Sequence, residues 1–278
     1  MTLEAIETET GPAPKASIIV LHGLGADGND FVPFAQELRL GSVGPVRFIF
    51  PHAPTRPVTL NGGYVMRAWY DILGADLPRR EDETGLRESQ AQIEALIARE
   101  RERGMAASKI VLAGFSQGCA MTLMTGLRHA QALAGLVCMS GYLPLAATTA
   151  QERSAASSAV PIFMAHGRSD PMIALDRAVA SRDALLALGY GVEWHEYPMP
   201  HSVCAEEVAD LNRGVLRVLD GARAKGAGRR SSAGEGPVAI QAAGLSPREG
   251  RRKAIFGWRR PWRLQALGLR QHRPAKPG

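Results

Sequence analysis

The stretch Ile110-Val111-Leu112-Ala113-Gly114-Phe115-Ser116-Gln117-Gly118 decides how this chain is read. Its first four residues form a continuous apolar run, the pattern of a strand covered on both faces. Gly114 to Gly118 then fit G-x-S-x-G, and residues 119–128 are compatible with a helix. A strand, a glycine-flanked serine and a helix make a sharp turn that exposes the serine Oγ. Small residues two before and two after are required, because side chains there collide with neighbouring backbone. The helix that follows aims its first N–H groups at negative charge developing in front of it. For the motif alone, an ordinary strand–turn–helix is an equal competitor; the flanking strand and helix weigh against it.

Outward from this stretch, short apolar runs alternate with amphipathic ones through residue 222. Strands are expected at 17–22, 46–50, 109–115, 135–140, 160–166 and 192–197, and helices at 86–103, 175–188 and 206–219. The first helix places Ile93, Leu96 and Ile97 on one face and Glu94, Arg99, Glu100 and Arg101 elsewhere. Gly104 and Gly189 follow the first two helices as stop signals. Strands alternating with helices imply an α/β fold with a doubly wound, mostly parallel sheet flanked by helices.

Composition bounds the rest. At 278 residues, with 45% hydrophobic and 22% charged residues, the chain has ordinary globular usage, which excludes global disorder, collagen and coiled coil. No stretch approaches the ~18 apolar residues of a membrane-spanning helix. The first 15 residues carry Glu4, Glu7 and Glu9 and no apolar core, unlike a signal peptide. Three cysteines, Cys119, Cys138 and Cys204, argue against a disulfide framework and fit a reducing cytoplasm. The net charge of +6 averages two unlike segments. Residues 1–222 hold 19 basic and 25 acidic residues, a net of −6, whereas residues 223–278 hold 14 and 2, a net of +12. The second segment has 9 Gly, 5 Pro and no apolar period. It reads as a disordered basic tail behind a domain spanning residues 1–222.

A serine hydroxyl needs a base and an orienting carboxylate. In a sheet of this kind the chain order is serine, acid, histidine. Asp170, in His166-Gly167-Arg168-Ser169-Asp170-Pro171, and His201, in Pro198-Met199-Pro200-His201, each follow an expected strand, where open α/β sheets place their sites. Asp176 and Asp183 compete but fall inside a helix, and Asp170 before proline also suits a turn. Of seven histidines, only His201 lies in a loop after the last strand. The glycine-rich loop Leu21-His22-Gly23-Leu24-Gly25-Ala26-Asp27-Gly28 follows the first strong strand and lacks G-x-G-x-x-G or a Walker lysine. It can supply one oxyanion N–H, from Leu24, to match that of Gln117, with His22 bracing the loop.

These segments resemble those of the bacterial carboxylesterase and acyl-protein thioesterase family, the phospholipase/carboxylesterase type of α/β-hydrolase. The resemblance runs through residues 20–30, Arg67-Ala68-Trp69-Tyr70-Asp71-Ile72, 114–118, 166–171 and 197–207, and covers about residues 15–220. It implies a triad of Ser116, Asp170 and His201, oxyanion donors at Leu24 and Gln117, no cofactor, and cleavage of carboxylic esters, thioesters or lysophospholipids. Arg168 and Pro200 depart from the family's pattern. Trp69, Leu73 and Leu77 are candidates for an acyl pocket, with core packing as the alternative. No specific nucleic acid is expected as a partner. A second class of function remains at this stage: a domain tethered by its tail, with Trp258 and Trp262 among arginines, to nucleic acid or an anionic membrane surface.

Overall fold

The computed structural model describes residues 3–74 and 81–227. In chain order the elements are β1 (Ala5–Glu9), β2 (Ala16–Leu21), α1 (Val32–Glu37), β3 (Val46–Pro51), β4 (Thr55–Val58), β5 (Tyr64–Arg67) and α2 (Glu83–Glu102). There follow β6 (Ile110–Phe115), α3 (Gln117–Arg128), β7 (Gly135–Met139), α4 (Ala146–Glu152), β8 (Ile162–Gly167), α5 (Leu175–Ala187), β9 (Val192–Tyr197) and α6 (Ala205–Ala227). Leu77 and residues 228–278, most of the expected tail, lie outside the described residues. Helix α6 itself runs to Ala227, past its expected end at 219.

Seven strands form one sheet in the order β1-β3-β2-β6-β7-β8-β9, and β4 and β5 pair as a separate antiparallel hairpin. All sheet neighbours are parallel except β1 with β3. Alternate side chains explain the continuous apolar runs. Ile19, Leu21, Leu112, Leu136 and Met164 join the core under α2, α3 and α5, where Leu86, Ile93, Leu96, Ile97 and Leu185 pack. Ile18, Val20, Val111, Val137 and Phe163 join the opposite core, with Phe34 of α1 and Val208, Leu211, Val215 and Leu219 of α6. Helices on both faces leave β2 and β6 to β8 with no solvent side, so each of their residues is buried.

One helix residue departs from its expected face. Glu100 is fully buried, accepting from Ser17 Oγ at 2.5 Å and Arg47 Nη1 at 2.9 Å. It is tolerated there because its charge is both paired and hydrogen-bonded.

From β2 the chain turns one way to β3 and the other way to β6, so the sheet order reverses between β2 and β6. Such a switch point, outside the carboxyl ends of the strands, is where open α/β sheets place their sites.

Candidate active site

Ser116 sits between β6 and α3 with φ 57° and ψ −117°, a left-handed conformation that a non-glycine residue adopts only under constraint. The two flanking glycines supply it. A Cβ on Gly114 would stand 2.2 Å from Gly118 O, and one on Gly118 would stand 2.1 Å from Leu21 O. The strand, the turn and α3 therefore pack closer than any side chain at either position allows. Ser116 N–H donates to Met139 O at 2.9 Å, which ties the turn to β7.

Asp170 lies in the loop after β8 and His201 in the loop after β9. The structure brings both to Ser116. His201 Nε2 is 2.9 Å from Ser116 Oγ, and His201 Nδ1 is 2.6 Å from Asp170 Oδ2. The ring of Phe115 flanks the imidazole, with centroids 4.8 Å apart. Asp176 and Asp183 are exposed on α5.

Asp170 Oδ1 accepts from Met172 N at 2.8 Å and Ile173 N at 3.0 Å. Burial alone raises a carboxyl's pKa, but the hydrogen bond from His201 and those from Ile173 and Met172 outweigh it and hold Asp170 below its ordinary value. His166, the last histidine before the acid, is also here. Its Nε2 is 2.8 Å from Ile173 O and 3.4 Å from Asp170 Oδ2, and burial lowers its pKa. Nothing local in the sequence marks this role.

The glycine-rich loop lies directly against the serine. A Cβ on Gly23 would come 3.3 Å from Ser116 Cβ. Gly25 N–H donates to Arg67 O and Ala26 N–H to Gly23 O, while Leu24 N–H has no acceptor among the described residues. Gln117 opens α3, so its N–H has no intrahelical acceptor. His22 is fully buried, with Nδ1 2.7 Å from Gly23 O and Nε2 accepting from Ala53 N at 3.0 Å. Burial pushes its pKa down to about 4, so it braces the loop as a neutral ring.

The pocket candidates fare differently. Trp69 is fully enclosed and all its polar groups are engaged, so core packing prevails over an open acyl pocket. Leu73 is 39% exposed at the surface. A cavity of about 330 Å³ lined by Gly135, Pro161, Gly191, Val215 and Arg217 opens at the starts of β7 to β9, the end of the sheet away from Ser116. Of the two departures from the family's pattern, Arg168 is exposed and pairs with Glu196 at 3.2 Å, and Pro200 is exposed. Among the described residues no group of three or more His, Cys, Asp or Glu side chains is arranged to hold a metal ion.

Comparison with known proteins gives a consistent picture. The sequence profile of the Phospholipase/Carboxylesterase family matches residues 1–216. The chain is 38% identical over 212 residues to acyl-protein thioesterase 1 of Yarrowia lipolytica, covering 74% of this chain and 93% of that protein. It is 41% identical over 202 residues to acyl-protein thioesterase 1 of Neurospora crassa, covering 69% and 82%. Both are fungal, and the bacterial branch expected from the motifs has no support from them. Among solved structures, Arabidopsis thaliana SOBER1 superposes with a TM-score of 0.70 at 28% identity, over 73% of this chain and 99% of that one.

Proposed function

The chain belongs to the phospholipase/carboxylesterase family of α/β-hydrolases and is a hydrolase acting on esters or thioesters, and we propose that it works through an acyl-enzyme on Ser116. The observation that carries this reading is the continuous line from Ser116 Oγ to His201 Nε2 at 2.9 Å and from His201 Nδ1 to Asp170 Oδ2 at 2.6 Å.

In this mechanism Ser116 Oγ attacks the acyl carbonyl while His201 Nε2 takes its proton. Asp170 accepts from His201 Nδ1–H, fixes the tautomer and stabilises the imidazolium that forms. Its lowered pKa keeps it ionised for that task. The carbonyl oxygen, now an anion, receives the N–H groups of Leu24 and Gln117. His201 then protonates the leaving alcohol or thiol. In the second half, water gives its proton to His201 and attacks the acyl-enzyme, releasing the acid and restoring Ser116.

The relatives bear the name acyl-protein thioesterase, which favours an acyl thioester on a protein cysteine as the substrate. Cys119, Cys138 and Cys204 are free thiols, in keeping with a reducing compartment such as the cytoplasm. The test is a matched panel of esters and thioesters of increasing acyl length on purified protein. A preference for thioesters over the matched esters supports the substrate class; equal kcat/KM for the two across the panel speaks against it.

A further inference from the structure

Trp69 touches both halves of the site without facing it. Its backbone N–H donates to Gln117 Oε1 at 2.9 Å, and its indole Nε1–H donates to His22 O, also at 2.9 Å. Its own carbonyl accepts from Ser89 Oγ on α2. Gln117 completes the clasp, its Nε2 donating to Tyr70 O at 2.7 Å. Gln117 therefore spends its side-chain amide on residues 69 and 70, while its backbone N–H, at the first position of α3, has no intrahelical acceptor.

The same segment holds the other donor. Leu24 is bracketed by two hydrogen bonds to one short stretch of chain. On one side His22 O accepts from Trp69 Nε1, and on the other Gly25 N–H donates to Arg67 O at 2.8 Å. Trp69 packs against the His22 ring with centroids 5.3 Å apart. Leu24 lies in the loop after β2 and Gln117 at the start of α3 after β6, two segments that otherwise meet through the close packing of Gly23 and Gly118. Trp69 adds a link between the two through one buried residue. An oxyanion site acts only if its donors are already in place when charge develops, since reorganisation at that moment cancels the gain.

We propose that Trp69 is the positioning residue of the oxyanion site, setting the spacing between the Leu24 and Gln117 N–H groups through its two hydrogen bonds. This rests on the hydrolase reading above. It predicts a loss confined to the transition state, because the substrate carbonyl in the ground state makes little use of those donors.

The experiment compares Trp69→Phe, Gln117→Ala and their combination with the unsubstituted chain, on one water-soluble ester. Each variant is also titrated with a trifluoromethyl ketone, which forms a tetrahedral anionic adduct with a catalytic serine. Trp69→Phe removes the indole donor and keeps a buried ring. Gln117→Ala opens the clasp and keeps its own backbone N–H. The expected result is a fall in kcat of roughly 10–100-fold with KM changed less than about threefold. Ketone affinity should fall in step with kcat. The double variant should lose no more than the worse single one, because both break the same link. Thermal melting separates this from general unfolding, and should Trp69→Phe fail to fold, Gln117→Ala, which breaks the Trp69 N–H bond and leaves Trp69 in place, carries the kcat, KM and ketone comparison. A change in KM alone, or additive losses, overturns the proposal and makes Trp69 a pocket wall or an ordinary core residue. Unchanged kcat in Trp69→Phe beside an inactive Ser116→Ala also overturns it while leaving the hydrolase reading intact. Turnover retained in Ser116→Ala removes the hydrolase mechanism itself.

Discussion

Asp170 Oδ2 lies 2.6 Å from His201 Nδ1, while its other oxygen, Oδ1, is held by the N–H groups of Met172 and Ile173. The acid is thus fixed by its own loop before it meets the histidine. Asp170→Asn keeps the shape but presents a donor to Nδ1 and favours the wrong imidazole tautomer. A fall in kcat of about 10⁴ is expected. Asp176→Asn, an exposed change on α5, should leave kcat within about twofold, as surface substitutions away from a site do. Steady-state kinetics of the pair check this; damage from Asp176→Asn instead would reassign the acid.

Gly118→Ala tests the turn. Its new Cβ would fall 2.1 Å from Leu21 O and 2.7 Å from His22 O, both backbone atoms that cannot step aside. The substitution should push β2 and the oxyanion loop away from Ser116. Activity should fall by at least about 10²-fold, the scale of a 1 Å misplacement, and the melting temperature should drop as well. Gly104→Ala, where an added Cβ meets nothing within 4 Å but φ is +86°, should cost stability without that loss of activity.

His22 gives stability an acid limb. Burial lowers its folded-state pKa from 6.5 to about 4. Between those values the unfolded chain takes a proton that the folded chain refuses. Its contribution is therefore complete above pH 6.5 and is lost as pH falls towards 4, on the order of 3 kcal/mol in all. Compared by urea denaturation across that window, His22→Gln should lack this contribution, so the stability difference between the unsubstituted chain and the variant should change as pH falls from 6.5 towards 4.

Glu207 acts in the opposite sense. It is completely buried at the start of α6, and the Cys204 backbone N–H beside its carboxyl does not offset that burial. Burial raises its pKa from 4.5 to about 8. The folded chain keeps a proton that the unfolded chain releases, so the Glu207 contribution to stability declines as pH rises from 4.5 to 8, opposing that of His22 where the two windows overlap. Glu207→Gln should remove that decline in the same urea titration. An unchanged slope would mean the carboxyl is ionised in the fold.

The parts of the structure legible in the sequence are those that local pattern determines. β2 and β6 announce themselves because both faces are buried, and the meeting of Ser116, Asp170 and His201 because each lies just past the C-terminal end of a strand, β6, β8 or the edge strand β9. The missed elements have weaker local causes. Strand β1 alternates Ile6 with Glu7 and Glu9, and those glutamates are stabilised by Arg99, Arg103 and Arg47, residues far along the chain. Helices α1 and α4 are short and begin without a side-chain cap. Glu100 looked like a solvated residue because its partners, Ser17 and Arg47, come from two different strands. Trp69 reads from the sequence as an acyl-pocket candidate with core packing as the alternative, and its hydrogen bonds to His22 and Gln117 are not legible because those partners lie 47 and 48 positions away.

The most direct test of the central claim is mass spectrometry of the protein after reaction with a fluorophosphonate, followed by mapping of the labelled peptide. A single adduct on Ser116 that abolishes ester turnover is the expected result. Ser116→Ala should take up no label and lose roughly 10⁴–10⁶ in kcat with its fold intact. Labelling at another residue, or a Ser116→Ala enzyme within about tenfold of the unsubstituted rate, would contradict it.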